Sequence, residues 1–287
     1  MPRQADGVSM PLENMGWLSH KTGERMTEPL LLHIEGAIAT ITFNRPERRN
    51  AITFDMWNHL QRLLVDVQEN PQVRVIVLRG AGQEAFAAGA DISEFATHRN
   101  NAAKATLYNA AFDAAMDMAE AVGKPTICLI MGACVGGGCE LSTACDLRIA
   151  ADNARFGVPI ARLGLPVGFR EMRRMVRLIG HAKTMELLLT ADIIPASEAL
   201  RIGLVQHVVP LDKVEDFVYT MARNIAALAP VVHRVHKEIL QTVLDNPALE
   251  GLTPAQRALA VSPFDTEDFQ EGWRAFLEKR TPQFRGY

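Results

Sequence analysis

Gly136, Gly137 and Gly138, followed closely by Glu140, form the most chemically suggestive run in the chain. The apolar residues 125–131 before them read as a buried strand, and the residues after them as the start of a helix. A helix start leaves backbone N–H groups unpaired, and glycines let a ligand reach them unobstructed. Such a corner suits an anion or an oxygen on which negative charge develops. Glycines also allow close helix packing, so a second element is needed to decide. Phe86-Ala87-Ala88-Gly89-Ala90-Asp91-Ile92 supplies it, because it also follows a strand and places small residues at a strand-to-helix corner. One N–H from each corner, aimed at the same carbonyl oxygen, makes an oxyanion hole.

Glu140 sits between Cys139 and Leu141, just inside the glycine-led helix, and is the candidate catalytic carboxylate. The alternative is a solvated surface glutamate, against which its apolar neighbours speak. The helix dipole favours its ionised form and burial its protonated form, and the sequence leaves that contest open. Cys128, Cys134, Cys139 and Cys145 crowd the same stretch. They lack the paired C-x-x-C spacing of a zinc site and lie in an apolar, glycine-rich setting, which predicts packed core thiols.

Alternating elements must carry these corners. Residues 30–34 and 37–43 are β-prone runs about a Glu35-Gly36 turn, which predicts a hairpin. Met56, Leu60, Leu63, Leu64 and Val67 recur at helical spacing after Thr53, and Asn70-Pro71 ends that pattern. Strands are expected at 73–78, 125–131 and 147–150, with a helix over 102–121. The alternation implies an α/β core with crossover connections. Beyond 211 the strands stop, and 214–228, 231–244, 254–260 and 266–279 read as helices. Residues 1–28 lack periodicity and are set aside as an N-terminal extension, leaving a core over 29–210 and a helical region over 211–287.

Composition narrows the function classes. With 287 residues, 48% of them hydrophobic, the chain can bury a sizeable core. A formal net charge of -3 and a pI near 6.3 give no reason to expect nucleic acid or an anionic membrane as partner. No apolar run is long enough to span a bilayer and no signal-peptide pattern opens the chain, so a cytoplasmic protein is expected. The glycine run lacks G-x-G-x-x-G order, which argues against a dinucleotide site, and no G-x-S-x-G elbow exists for a serine nucleophile.

Asn44-Arg45-Pro46 with Asn50-Ala51, the stretches 86–92 and 136–141, Ala144-Cys145-Asp146-Leu147, the stretch 150–157, and Glu271-Gly272 with Phe276 and Glu278-Lys279-Arg280 together resemble the enoyl-CoA hydratase/isomerase (crotonase) superfamily. Their order and spacing carry the resemblance over about residues 29–287. It implies a crotonase-like spiral of ββα units with a C-terminal helical oligomerisation region, forming homotrimers or homohexamers. It implies an enzyme, a lyase or isomerase of fatty-acid or related acyl-CoA metabolism, that stabilises a thioester enolate. The coenzyme A thioester is the substrate, with no separate cofactor and no metal. By the same resemblance the N–H groups of Ala90 and Gly137 hold the thioester oxygen, and Arg48, Arg49 and Lys279 meet the CoA moiety. Ala88, Asp91, Ile92 and Ile160 are expected to border the substrate.

One departure matters. Hydratases of this family share their proton transfers between two glutamates, the first matching Glu140 and the second following Phe-Gly-x-Pro. Here that run is Phe156-Gly157-Val158-Pro159-Ile160, so the second position holds isoleucine, and residues 164–172 lack the usual glycine-rich turn. A general acid or base contributes about 10²- to 10⁴-fold, so hydration should suffer unless another acid substitutes. Three chemistries remain open at this point: hydration with Glu140 handling water and Glu171 or Glu94 standing in, enoyl-CoA isomerisation, and decarboxylation or carbon–carbon cleavage. A catalytically inactive acyl-CoA-binding protein is the alternative of another class.

Overall fold

The computed structural model describes residues 28–287, so the extension set aside at 1–28 lies outside the described residues except for Glu28. The strands are β1 (Leu30–Glu35), β2 (Ile38–Phe43), β3 (Val75–Gly80), β4 (Ala85–Ala87), β5 (Thr126–Ile130), β6 (Ala133–Val135), β7 (Leu147–Ala151), β8 (Arg155–Gly157), β9 (Ile194–Pro195) and β10 (His207–Val209). The helices are α1 (Phe54–Glu69), α2 (Phe95–His98), α3 (Ala102–Ala121), α4 (Gly137–Ala144), α5 (Phe169–Thr190), α6 (Ala196–Arg201), α7 (Val214–Ala226), α8 (Pro230–Asp245), α9 (Pro254–Ala258) and α10 (Glu267–Glu278).

A six-stranded sheet runs in the order β1-β2-β3-β5-β7-β10, with β1 antiparallel to β2 and the remaining pairs parallel. Parallel strands need a cover on both faces, which is why β3 and β5 carry continuous apolar runs, Val75 to Leu78 and Ile127 to Ile130. Ala39, Ile41, Ile76, Leu78, Cys128 and Ile130 pack with α1 and α3 on one face. Ile38, Val75, Val77, Ile127, Leu129 and Ile149 pack on the other with Val214, Val218, Ala222 and Ala226 of α7. The helical stretch read from 211 therefore begins with a helix that closes the core.

A second, four-stranded sheet runs β4-β6-β8-β9. Each turn of the chain places a longer strand in the first sheet and a short one in the second before its helix: β3 then β4, β5 then β6, β7 then β8. This is the ββα spiral. β4, β6 and β8 are mutually parallel neighbours, with Ala87 beside Cys134 and Cys134 beside Phe156. Three separate chain exits are thereby brought side by side, and the site is built on them.

Candidate active site

The three exits are residues 88–91 after β4, Gly136 and α4 after β6, and Val158 to Ile160 after β8. In the first, Ala88 N–H donates to Arg49 O at 3.0 Å and Asp91 N–H to Ile52 O at 2.9 Å, while Ile52 N–H donates to Gly89 O at 2.8 Å. The loop is thus pinned against residues 49–52, and Ala90 N–H, between those bonds, has no backbone acceptor among the described residues. Gly89 takes φ +105, a conformation a side chain would strain. In the second exit, Gly136 N–H donates to Gly157 O at 2.8 Å, and Gly137 opens α4 with its N–H unpaired by backbone.

The corners touch. A Cβ on Gly89 would lie 3.6 Å from Gly137 N, and one on Gly137 would lie 3.7 Å from Ala90 N. α4 is fixed at its far end by the buried Arg148, whose guanidinium donates to Ser142 O at 3.0 Å, Cys145 O at 2.6 Å and Leu204 O at 2.8 Å. The cation thus satisfies carbonyls that a helix end leaves unpaired. Cys128, Cys134, Cys139 and Cys145 are free thiols buried around this packing.

Gly138 is where α4 lies against β4: a methyl there would stand 2.7 Å from Ala87 Cβ and 3.0 Å from its carbonyl carbon. Gly138→Ala is expected to push the two corners apart. The cost should be about 1–3 kcal/mol of stability by thermal unfolding, with a fall in kcat of about tenfold or more.

A cavity of about 400 Å³ opens beside the corners. Ala88, Ala90, Ile92, Gly137, Glu140 and Ile160 all line it, so the structure brings these sequence-derived candidates together. Arg48, Arg49 and Lys279 do not line it: the arginines are exposed on the loop before α1, and Lys279 is exposed at the end of α10. Asp91 does not line it either. Its carboxylate accepts from Arg45 at 2.9 Å and from Ser93 N–H and hydroxyl at 3.1 and 2.6 Å, so it braces the loop from outside the cavity. Glu94 is also corrected as a stand-in acid, because its carboxylate accepts Phe54 N–H at 2.7 Å at the start of α1.

Glu171 also lines the cavity. It is 3% exposed and Glu140 is 6% exposed, so both carboxyls leave bulk water. Burial, then the neighbouring Glu171, raise Glu140 to about 8, against some relief from Arg99. Burial also raises Glu171, helped by Asp113 and opposed by Arg174 and Arg170. Arg174 Nη1 stands 3.5 Å from Glu171 Oε1, an ion-pair contact without a hydrogen bond, while Arg174 itself is gripped by Asp117 at 2.8 Å and Glu120 at 2.7 Å. For Glu140, burial outweighs the helix dipole.

Sequence reasoning passed over three wall residues. Tyr108 and Phe112 project from α3, where Tyr108 accepts a hydrogen bond from Trp57 Nε1 at 2.9 Å and Phe112 meets the Trp57 ring edge to face at 4.8 Å. Their helical spacing reads as ordinary core. Arg99 also lines the cavity, and its place in a polar connecting stretch gives no signal in the sequence. No cluster of three or more His, Cys, Asp or Glu that could hold a metal occurs among the described residues. No helix among them is long and apolar enough to cross a membrane.

Comparison with known proteins agrees with this architecture. The Enoyl-CoA hydratase/isomerase family matches residues 33–287. The "Probable enoyl-CoA hydratase echA8" of Mycobacterium bovis is 38% identical over 257 residues, covering 90% of this chain and 98% of its own length. The crotonyl-CoA hydratase of Syntrophomonas wolfei is 36% identical over 264 residues, covering 90% and 98%. The crystal structure of an enoyl-CoA hydratase/carnithine racemase from Magnetospirillum magneticum superposes with a TM-score of 0.86 at 40% identity, covering 90% of this chain and 96% of that one. With its spiral of ββα units, adjoining backbone corners and this extent of likeness, the chain belongs to the enoyl-CoA hydratase/isomerase family of the crotonase superfamily.

Proposed function

We propose that this protein hydrates 2-enoyl-CoA thioesters, with Glu140 and Glu171 as its carboxylate pair. The observation that carries the reading is the placement of both buried carboxyls in the one cavity that also receives the Ala90 and Gly137 corners. The two N–H groups stabilise negative charge on the thioester oxygen as the enolate forms. At neutral pH Glu140, whose carboxyl is raised to about 8, keeps its proton and is assigned the acid, and Glu171, raised by burial but relieved by Arg174 and Arg170, is assigned the base. Glu171 takes a proton from water as its oxygen bonds to the β-carbon, the double-bond electrons move toward the thioester, and Glu140 delivers a proton to the α-carbon. This assignment exchanges the role expected of Glu140 from sequence, because the more strongly raised carboxyl is the better donor. The isoleucine at 160 then forms an apolar wall.

The test is product analysis. Crotonyl-CoA should give 3-hydroxybutyryl-CoA, whereas a catalyst that only interconverts 2- and 3-enoyl thioesters, or turns over no acyl-CoA, overturns the reading. Its pH dependence is also expected: kcat/KM should fall as pH rises through about 8, where Glu140 loses the proton it must donate. A profile still rising past that point contradicts the assigned roles. Exposed Trp273, Phe276 and Leu277 on α10 support self-association through the C-terminal helices into a homotrimer or homohexamer.

A further inference from the structure

Arg99 is a charged group in the wall of an otherwise largely apolar cavity, and its donors are incompletely used. Its guanidinium carbon lies 4.6 Å from the Tyr108 ring centroid and 5.1 Å from that of Phe95, so two aromatic faces hold it. Nη2 donates to Asn109 Oδ1 at 3.2 Å. Nε is buried with no acceptor, and Nη1 makes no hydrogen bond to protein among the described residues.

This arrangement has a consequence for the occupant. An alkyl chain filling the cavity would seal a guanidinium away from water without supplying an acceptor, which is costly. A carboxylate at the acyl end would offer two oxygens to a planar fork of donors, the geometry in which arginine binds most strongly. The other charges facing the cavity are Arg170, Asp113, Glu140 and Glu171. Arg170 is paired through Nη1 with the half-exposed Asp117, Glu171 lies 3.5 Å from Arg174, and Glu140 is protonated at neutral pH. Asp113 opposes an incoming anion, but it faces Glu171, whose proton affinity it raises. Among the cations lining the cavity, Arg99 is the one with a buried donor that lacks an acceptor among the described residues.

We propose that Arg99 anchors a carboxylate on the far end of the acyl group, which makes the substrate class the CoA monothioesters of dicarboxylic acids. The assignment rests on the reading that this cavity takes an acyl-CoA, and it goes beyond hydration itself.

Binding of saturated thioesters tests it independently of turnover. Glutaryl-CoA and valeryl-CoA differ in carrying a carboxylate or a methyl at the acyl end, and neither has a double bond to hydrate. Calorimetric titration of the full-length wild type should show glutaryl-CoA bound at least about tenfold more tightly. In Arg99→Gln the ratio of the two affinities should fall to within about threefold of one, and Arg99→Lys should restore part of it. Taking the ratio on each variant cancels any general loss of packing around Tyr108. A wild-type preference below about tenfold, or one that survives Arg99→Gln, overturns the assignment. A glutaryl preference lost in Arg99→Gln, found in a protein that hydrates no enoyl-CoA, upholds the anchor and removes only the hydratase reading.

Discussion

Replacement of Glu140 by glutamine should reduce enoyl-CoA turnover at least about a hundredfold and, at the same time, make the folded protein more stable near pH 8. The two effects have one origin. Glutamine keeps the size and polarity of the side chain but has no proton to deliver to carbon, so the acid contribution is lost while the oxyanion corners remain. The stability effect follows from burial. Glu140 holds its proton to about 8 in the folded protein, against an ordinary value of 4.5. Between those values the folded state binds a proton that the unfolded chain has released, so the unfolding free energy falls as pH rises. Each pH unit of that window is worth about 1.4 kcal/mol, so the loss by pH 8 is on the order of a few kcal/mol. Glutamine stays neutral and escapes it. Denaturant unfolding should therefore give equal stabilities near pH 4 and a growing advantage for Glu140→Gln up to pH 8. A variant less stable than wild type at pH 8 would place an ionised, well-solvated carboxylate at this position.

Glu171→Gln is expected to depress hydration by about 10²- to 10⁴-fold, because it removes the group that accepts the proton of water. It should also reveal itself in the residual activity. The neighbouring Glu171 charge helps to raise Glu140, so its removal should move the high-pH limb of the profile below about 8. A purely structural role for Glu171 beside Arg174 predicts lowered stability with that limb in place. Steady-state profiles over pH, with thermal unfolding on the same samples, separate the two. Turnover within threefold of wild type would remove Glu171 from the mechanism and return the second role to an unidentified group.

The sequence announced those parts of the site whose backbone is unusual. Gly89 and Gly136 take positive φ, and such corners can be recognised from residue type alone. Helix α3 follows the expected span of 102–121 because Asn101 caps its start, accepting from Lys104 N–H at 3.0 Å, and Lys124-Pro125 follows its end. The second sheet was not readable, since β4, β6 and β8 are three residues each, too short to show a period. α5 was missed for a different reason: Gly180, at φ +73, breaks it internally and interrupts any continuous helical pattern.

Side-chain roles were harder to read than corners. Asp91 and Glu94 sit in or beside the loop that follows β4, yet both carboxylates are used by neighbouring groups that hold the scaffold. Residue type does not distinguish a carboxylate that braces a loop from one that meets substrate. Glu171 and Arg99 reach the cavity from elements far apart in sequence, and only the parallel stacking of β4, β6 and β8 makes them neighbours of Glu140.

A crystal structure of the wild type with 3-hydroxybutyryl-CoA bound tests the whole arrangement in one observation. The thioester oxygen should lie about 2.7–3.1 Å from both Ala90 N and Gly137 N. Glu140 should stand within about 3.2 Å of the α-carbon's departing proton position, and Glu171 within hydrogen-bond reach of the 3-hydroxyl. A thioester oxygen turned away from the two N–H groups, or a 3-hydroxyl bonded to neither carboxyl, would contradict hydration by this pair.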